Sequence, residues 1–463
     1  MSNPFQAGVG RADITPAPGV PQGGWGAQTH QRGLGADMPF YATALVLDDG
    51  ERQAAIVDVD AIGFNLEWTD KILDAIASLT RIPRDHIRFS CTHTHSGPNT
   101  FRLATISEGL DMVLSYLDSL PQRIAGAVWQ AQGNLRPVRC AAGEGHCEIG
   151  VNRRFPVFGT VVVGRNWNGP ADPAVRVVRF DGLDERPVAT LVNYSCHPTT
   201  MAWQNQLFTP DYPGMVRQVV EREVGGACLF LQGAAGDITP RRGFTGDPQV
   251  YRRLGAILGL EASKVALGLE TLPRRERFQG VLQSGAPIAL YEDEPVEPAP
   301  PALRILSRTV PLPIKPFPPP EELEAEAQEL RNVLNRLRAH GSEEEVRAAT
   351  AKATQANARA ENARLYHGKT AIDWRMQGIR IGEIALVSIQ GEPFNEIGRR
   401  VVAGSPFPHT LFSGYSNGGF GYIPAREAFR EGGYEVEATP FSADAADAVV
   451  AEASRLLQEL AGG

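Results

Sequence analysis

Several apolar segments of the sequence are each followed at once by a side chain that could bind a metal or move a proton. These residues are His93, His95, His197, Glu392 and Tyr422. In open α/β sheets, ligands collect where strands end and loops begin. Two histidines and one carboxylate with an open coordination position form a common catalytic zinc set. The residues themselves therefore indicate a candidate metal site built from His93, His197 and Glu392.

The local sequence around the histidines favours a functional role. His93 and His95 are two residues apart, and in an extended chain that spacing points both rings to one face. Ser-Gly-Pro follows His95 and Pro198 follows His197, so both segments end in a defined turn. Glu392 stands between a glycine and a proline. The alternative interpretation is that these histidines are polar core residues satisfied by neighbouring groups.

The sequence offers little support for a nucleophilic side chain. It contains no GxSxG motif, so a serine on an α/β-hydrolase elbow is not indicated. Cys91 and Cys196 lie inside apolar segments, where a cysteine usually acts as a small buried hydrophobe. The Gly-Ala-Ala-Gly-Asp turn at 233–237 lacks the Lys-Ser/Thr pair of a phosphate-binding loop.

The elements that must position these side chains alternate between strand and helix patterns. Apolar, β-branched segments recur at 41–49, 53–64, 87–95, 175–180, 188–198, 227–237, 383–392 and 408–416. Helical patterns lie at 66–80, 110–132, 212–224 and 251–270. The alternation predicts an α/β fold with a large mixed β-sheet flanked by helices. We expect residues 1–280 and 369–463 to form one catalytic domain.

The region between these two parts has a different composition. Residues 281–320 hold 11 of the 35 prolines, which predicts an extended segment. Residues 321–368 are rich in Ala, Glu, Arg and Leu and predict a helical hairpin insertion broken at Gly341. Because charged helical faces are usually solvated, the hairpin is interpreted as a structural arm in preference to a partner-binding device.

Composition excludes several function classes. With 45 basic and 53 acidic side chains the net charge is −8, and no dense basic segment offers a nucleic-acid site. No apolar segment is long enough to span a bilayer, and the N-terminus shows no signal-peptide pattern, so we expect a cytoplasmic protein. Five scattered cysteines do not predict a disulfide framework.

Eight motifs occur in the order seen in the neutral, non-lysosomal ceramidase family, which this sequence resembles from about residue 7 to residue 440. They are GVGRADITP (8–16), THTHSGP (92–98), VNRR (151–154), CHPTT (196–200), DYPG (211–214), GDITP (236–240), GE (391–392) and GYIPAREAFREGGYE (421–435). The resemblance implies a zinc-dependent amidase with one zinc ion per chain. It implies metal ligands at His93, His197, Glu392 and Tyr422.

The resemblance also implies polar groups around the substrate carbonyl at His95, Arg153 and Tyr434. Thr239 stands where the family has a serine, and Ala234 where it has an asparagine, so the hydroxyl is retained in different surroundings. We expect Thr239 to assist as a further donor. The alternatives are a surface ion pair for Arg153 and a packed aromatic for Tyr434.

The expected activity is hydrolysis of a C–N amide bond in a small-molecule or N-acyl substrate. Ester or lactone hydrolysis at the same site, and a metal-stabilised binding protein without turnover, are the alternatives. We predict that ceramide is not the physiological substrate, because the acidic chain offers no apparent membrane-docking rim and shows neither an export signal nor a further C-terminal domain. Segments 21–40 and 281–320 are expected to build a lid over a small polar pocket. Nothing in the sequence specifies an oligomeric state.

Overall fold

The computed structural model describes residues 4–101, 103–419 and 421–462. The strands of the first half are β1 Gln6–Asp13, β2 Gln22–Gly23, β3 Gly35–Ala36, β4 Tyr41–Asp48, β5 Gln53–Val59, β6 Ile87–Cys91, β7 Gly97–Pro98, β8 Arg136–His146, β9 Gly150–Val157, β10 Thr160–Asn166, β11 Ala174–Gly182, β12 Pro187–Tyr194, β13 Leu207–Phe208, β14 Ala227–Gln232 and β15 Ile238–Pro240. Those that follow are β16 Arg274–Leu282, β17 Ile288–Pro295, β18 Leu303–Pro313, β19 Ala371–Ile381, β20 Ile384–Ile389, β21 Glu392–Pro393, β22 His409–Ser413 and β23 Tyr422–Ile423.

The α-helices lie between and after these strands. They are α1 Leu66–Thr80, α2 Leu110–Gly133, α3 Tyr212–Glu223, α4 Pro248–Leu267, α5 Pro320–His340, α6 Glu343–Tyr366, α7 Asn395–Ala403, α8 Ala428–Glu431, α9 Tyr434–Ala438 and α10 Ala445–Ala461. Helix α1 shows how local sequence sets a boundary: the side chain of Asn65 caps it by accepting from the Trp68 amide.

An eight-stranded sheet in the order β14-β12-β11-β8-β1-β4-β5-β6 forms the larger part of the fold. The β5–β6 and β12–β14 pairs are parallel and the remaining pairs are antiparallel, so the sheet is mixed. Helices α1 and α2 share a core with β4, β5 and β6. Helices α3 and α4 share another core with β11, β12 and β14. The predicted α/β class, with a large mixed sheet flanked by helices, is confirmed.

A second sheet in the order β18-β19-β20-β22 packs against the larger one. Leu45 and Leu191 of the larger sheet lie in one apolar cluster with Ile379 and Leu386 of the smaller sheet. Helices α7 and α10 cover the other face of the smaller sheet. The result is a layered arrangement of helices, sheet, sheet and helices, with two buried interfaces around the smaller sheet.

A buried cation joins the two sheets. Arg88 on β6 is fully buried and donates to the hydroxyls of Ser388 at 2.7 Å, Ser90 at 2.8 Å and Ser413 at 2.5 Å. Burying a charge is costly unless it is hydrogen-bonded, and the serines supply those partners. Strands β6, β20 and β22 are thereby held together close to the ends that carry the candidate site.

The region 281–368 contains strands as well as helices. Strands β16 and β17 form a separate exposed hairpin, whereas β18 pairs with β19 along its whole length and belongs to the smaller sheet. Helices α5 and α6 lie within the interval predicted for the helical hairpin, and a capping box on Ser342 starts the second of them. Among the described residues, no helix is both long and apolar enough to cross a membrane. The cytoplasmic location stays a prediction.

Candidate metal centre

Three histidines from two separate strands meet at one point. His93 and His95 follow β6, and His197 follows β12. Their ligand nitrogens all lie within 4.8 Å of one another, and the Nε2 atoms of His93 and His95 are 3.3 Å apart. The Glu392 Oε2 atom lies 3.1 Å from His197 Nε2 and 3.4 Å from His93 Nε2. The structure therefore brings three imidazoles and one carboxylate into a single cluster.

Backbone carbonyls orient each imidazole of this cluster. The Nδ1 atoms of His93, His95 and His197 lie 2.6 Å from Ile62 O, 2.9 Å from Gly24 O and 2.5 Å from Ala235 O, in that order. A carbonyl can only accept, so each Nδ1 carries the proton and each Nε2 keeps its lone pair. This arrangement, with the outer nitrogen donating to backbone and the inner nitrogen free, is typical of metal-ligating histidines.

Burial keeps two of these imidazoles neutral. It lowers the pKa of His197 to about 4, with the nearby Arg153 charge acting in the same direction. Burial also holds the pKa of His95 well below its usual range, and the neighbouring histidines add to the effect. A neutral imidazole is the form that binds a metal ion, so the ligand form is available at neutral pH.

The backbone at His93 differs from the one expected from sequence. Strand β6 ends at Cys91, and His93 has a φ of 67°, in the left-handed region. The two rings meet almost perpendicularly, with centroids 4.9 Å apart, rather than side by side on a strand face. The prediction that an extended chain points both rings to one face is wrong for this pair, because the left-handed backbone at His93 turns the two rings toward each other. The amide of His93 donates to Ala61 O at 2.9 Å and ties this turn to the chain after β5.

Glu392 and Tyr422 stand opposite each other on neighbouring short strands. Strands β21 and β23 pair in parallel with Glu392 in register with Tyr422. The Tyr422 ring lies 6.4 Å from the His197 ring, centroid to centroid. Gly391 precedes the carboxylate with a φ of 75°, and a Cβ there would meet Gly421 O at 2.6 Å. Only glycine permits this close pairing, which places the phenol beside the histidine cluster.

Arg153 is buried beside the same cluster. Its Nε donates to Glu435 Oε1 at 2.8 Å, and its guanidinium carbon lies 5.2 Å from the Tyr422 ring centroid. One terminal nitrogen, Nη2, is buried without a hydrogen-bond partner among the described residues. The alternative that Arg153 forms a surface ion pair is excluded by its 4% exposure. A free donor on a buried cation is suited to an oxygen that gains negative charge.

Tyr434 and Thr239 occupy more peripheral positions. The Tyr434 ring lies 5.6 Å from the Tyr422 ring, and 37% of the residue is exposed. Thr239 is fully buried, and its hydroxyl pairs with the hydroxyl of Thr199 at 3.1 Å. Thr239 therefore reaches the cluster through Thr199, which lies two residues after His197 in the chain.

Three residues near the cluster were not found from the sequence. Glu435 carries the buried carboxylate that pairs with Arg153. The Tyr415 ring lies 4.4 Å from the His93 ring, and the Trp25 ring lies 5.2 Å from the His95 ring. Glu435 belongs to the motif at 421–435, and Tyr415 belongs to the apolar segment at 408–416. Trp25 lies in a glycine-rich loop without a regular pattern, so its contact depends on tertiary structure alone.

The cysteines lie outside this chemistry. The structure shows no disulfide among the five, in agreement with the sequence interpretation. Burial raises the pKa of both Cys91 and Cys196 well above the usual value for a thiol. Neither thiol is therefore available as a thiolate nucleophile.

The donor set fits a metal ion. Three imidazoles and a carboxylate face one another, with 3.3 Å between His93 Nε2 and His95 Nε2 and 3.1 and 3.4 Å from Glu392 Oε2 to the Nε2 atoms of His197 and His93. Nitrogen and carboxylate ligands suit zinc and other transition metals. The fold and the site together define an α/β protein with a candidate histidine–carboxylate metal centre at the ends of its strands.

Comparison with known proteins gives the family. Residues 5–246 match the family described as neutral/alkaline non-lysosomal ceramidase, N-terminal. The chain belongs to this family. A neutral ceramidase of Pseudomonas aeruginosa is 25% identical over 51% of this chain and 37% of its own length. Neutral ceramidase A of Dictyostelium discoideum is 23% identical over 51% of this chain and 36% of its own length. The matches thus span little more than a third of these relatives.

Solved structures extend the likeness to the whole fold. The crystal structure of the neutral ceramidase from Pseudomonas aeruginosa matches 99% of this chain and 74% of its own, with a TM-score of 0.71 and 20% identity. A structure described as ceramidase complexed with C2 matches 99% of this chain and 75% of its own, with a TM-score of 0.67 and 18% identity. At this identity the likeness shows a shared fold.

Proposed function

We propose that this protein is a zinc-dependent hydrolase that cleaves a C–N amide bond in a small-molecule or N-acyl substrate. The observation that carries the proposal is the cluster itself. Three imidazoles, of which those of His93 and His197 are buried and that of His95 is partly buried, each have Nδ1 on a backbone carbonyl and turn their Nε2 atoms toward one another beside Glu392. Membership in the neutral ceramidase family supports an amide as the substrate bond.

One zinc ion per chain would be held by His93, His197, Glu392 and Tyr422. Bound zinc supplies a Lewis acid that polarises a carbonyl group and lowers the pKa of water. The register of Glu392 against Tyr422 supports their joint assignment. His95 offers a third imidazole within the same 4.8 Å cluster, and we assign it to proton transfer.

The remaining side chains would act on the substrate. The lowered pKa keeps the His95 ring neutral, and its Nδ1 proton is held by Gly24 O, so the lone pair on Nε2 would accept a proton and pass it to the leaving amine. Arg153 would donate from its unpartnered Nη2 to the developing oxyanion. Tyr434 is half-exposed at the rim and would contact the substrate carbonyl from the solvent side. Thr239 would hold Thr199 in place and assist as a weaker donor.

The catalytic unit would comprise residues 1–280 and 369–463 together with β18, which forms one edge of the smaller sheet. His93 and His197 come from the first part, whereas Glu392 and Tyr422 come from the second. The two parts also share the apolar cluster between the larger and the smaller sheet. This shared core supports one folding unit, into which the hairpin of α5 and α6 is inserted.

The metal assignment is tested by elemental analysis of protein purified in metal-free buffer and then loaded with zinc. We expect one zinc per chain, lost in His93→Ala and in His197→Ala. The exposed His146, whose Nε2 lies 3.2 Å from Glu148, provides a matched control in His146→Ala, which should keep its zinc. Stoichiometric zinc in both cluster variants would refute the assignment.

The reaction is tested on one zinc-loaded preparation with short-chain N-acyl amides, the corresponding esters and lactones, and detergent-dispersed ceramide. We expect amides to be cleaved and ceramide to be a poor substrate. Faster turnover of lactones than of amides would favour the ester alternative, and stoichiometric zinc without any turnover would favour a binding protein. Ceramide cleavage with kcat/KM above about 10⁴ M⁻¹s⁻¹, as enzymes show for their own substrates, would contradict the prediction on ceramide.

A further inference from the structure

A cavity of about 250 Å³ lies between the helical hairpin and the body of the protein. Its walls are the loop 22–31, the segment 105–107 with Asn99, and the facing surfaces of α5 and α6. The hairpin is therefore more than the solvated arm expected from its composition, because part of its surface closes a pocket. Residues 22–31 of the segment expected to form a lid line this cavity, whereas residues 281–320 do not; the lid itself stays a prediction.

Most of the residues that line the cavity have polar or charged side chains, although apolar atoms also form a large part of its surface. Amide and hydroxyl side chains from both walls face it, among them those of Gln22, Gln28, Gln31, Asn335, Thr354 and Asn357. Several of these groups are already hydrogen-bonded within the protein, as Gln28 is to the carbonyls of Gln22 and His30. An aliphatic chain placed here would cover the polar atoms that have no such partner, which costs free energy for each hydrogen bond left unmade. The volume is at or below the lower end of the range for small-molecule sites, about 300 to 1,000 Å³. The cavity thus suits a small ligand rich in hydrogen-bonding groups.

One arginine in this lining has no carboxylate partner. Arg338 on α5 is half-buried and donates from Nη1 to Ser107 Oγ at 3.1 Å, while its Nε is buried without a partner in the described parts of the chain. Glu108, the nearest acidic residue on that segment, pairs with Arg32 at 3.6 Å. Burial lowers the pKa of Arg338, and the nearby charge of Glu108 opposes this shift.

Arg331 lines the same cavity from the same helix but, unlike Arg338, it pairs directly with a carboxylate. It pairs with Glu324 at 2.7 Å and also donates to Gln328 at 2.7 Å. Its charge is compensated within the hairpin, so it does not require a ligand. Arg338 forms no such direct pair with a carboxylate of the described residues, although the charge of Glu108 acts on it from a distance.

The cavity adjoins the metal centre through two residues. Gly24 and Trp25 both line it. On their other side, Gly24 O accepts from His95 Nδ1 at 2.9 Å, and the Trp25 ring lies 5.2 Å from the His95 ring. Gly24 has a φ of 131°, and a Cβ there would meet His95 O at 2.8 Å, so glycine is required for this close approach. Gly24 and Trp25 therefore contact both the cavity and the proposed proton-transfer group.

We propose that this cavity is the subsite for an anionic oxygen group, a carboxylate or a phosphate, carried by a small polar amide substrate, with Arg338 as its recognition residue. The inference rests on the proposed amide hydrolysis and specifies its substrate class. A planar guanidinium with free donors binds carboxylate and phosphate oxygens through charge-assisted hydrogen bonds. The surrounding amides would bind the remaining polar groups.

Three probes with the same acetyl group test the proposal: N-acetyl-β-alanine, the phosphomonoester of N-acetylethanolamine, and uncharged N-acetylethanolamine. We compare wild type, Arg338→Gln and the control Arg336→Gln. Arg336 lies on the same helix but is exposed and pairs with Glu329 at 3.4 Å. The readouts are kcat/KM with zinc-loaded enzyme and calorimetric binding of each probe to metal-free protein.

At least one anionic probe should be preferred over the neutral probe, and Arg338→Gln should weaken its binding and kcat/KM by about 10- to 100-fold, the usual effect of one charged hydrogen bond. Arg336→Gln should leave both unchanged. Which anionic probe responds decides between carboxylate and phosphate. Equal use of all three probes, or an Arg338→Gln variant that behaves as wild type, would overturn the inference while leaving amide hydrolysis intact. Arg338-dependent binding without hydrolysis of any probe would support the subsite and refute the proposed function.

Discussion

The carboxylate of Glu435 should be essential for both stability and turnover, although it touches no proposed metal ligand in the hydrogen bonds described. It is 1% exposed and accepts from Arg153 Nε at 2.8 Å and from Arg154 Nη1 at 2.9 Å. Glu435→Gln keeps the size of the side chain and removes the charge. Two buried guanidinium groups then lose their shared counter-ion. Breaking a buried pair from one side typically costs about 3 to 5 kcal/mol.

The exposed Glu431 provides the matched control. Its side chain is 54% exposed and lies 3.0 Å from Arg154 Nη2, so Glu431→Gln removes a solvated ion pair worth about 0 to 1 kcal/mol. Urea denaturation of the two variants should therefore separate them by at least about 2 kcal/mol in the free energy of unfolding. Turnover is then measured without urea, at a temperature at which both variants are folded. It should fall only in Glu435→Gln, because Arg153 loses its fixed position. Equal stabilities for the two variants would refute the reasoning.

Three further outcomes follow from the site. His95→Ala, Arg153→Ala and Tyr434→Phe should keep stoichiometric zinc but lose turnover, by about 10²- to 10³-fold for Arg153; zinc loss in His95→Ala would make His95 a ligand. Thr239→Ser should be nearly neutral and Thr239→Ala milder than those three, measured as kcat/KM. In metal-free protein, the pKa of His197 is about 4 in the folded chain and about 6.5 in the unfolded chain. Because the unfolded chain takes up the proton first, the folded state is not penalised above pH 6.5 and loses stability as the pH falls toward about 4. We therefore expect a fall in pH from 7 to 5 to lower the free energy of unfolding, measured by urea denaturation, more in wild type than in His197→Gln. An equal decrease in both proteins would contradict the assignment.

Helices and strands were largely predictable because their signals are local. The pattern at 66–80 coincides with α1, and the apolar segments at 41–49 and 188–198 contain most of β4 and β12. Burial of one side of each element leaves a periodic apolar pattern that needs no knowledge of its neighbours. The division into two packed sheets was not visible, because strands buried on both faces show the same apolar sequence whichever sheet they join.

The candidate site was predictable in its residue types and less so in its geometry. His93, His197 and Glu392 follow apolar segments that were predicted as strands, and an α/β sheet gathers such strand ends in one region. The left-handed backbone at His93 and the carbonyls that orient the three imidazoles arise from contacts with Ile62, Gly24 and Ala235. These contacts join distant parts of the chain, so no local pattern specifies them.

The sequence by itself determined the α/β class, the chemical types gathered at the strand ends and, through eight ordered motifs, the family. Tertiary structure alone decided that Arg153 is buried against Glu435, that Gly24 lies between His95 and the cavity beside the helical hairpin, and that the hairpin closes this cavity. The physical reason is the range of the interactions. Periodicity and capping act within a few residues, whereas charge pairing and cavity closure depend on groups that meet only after the chain has folded.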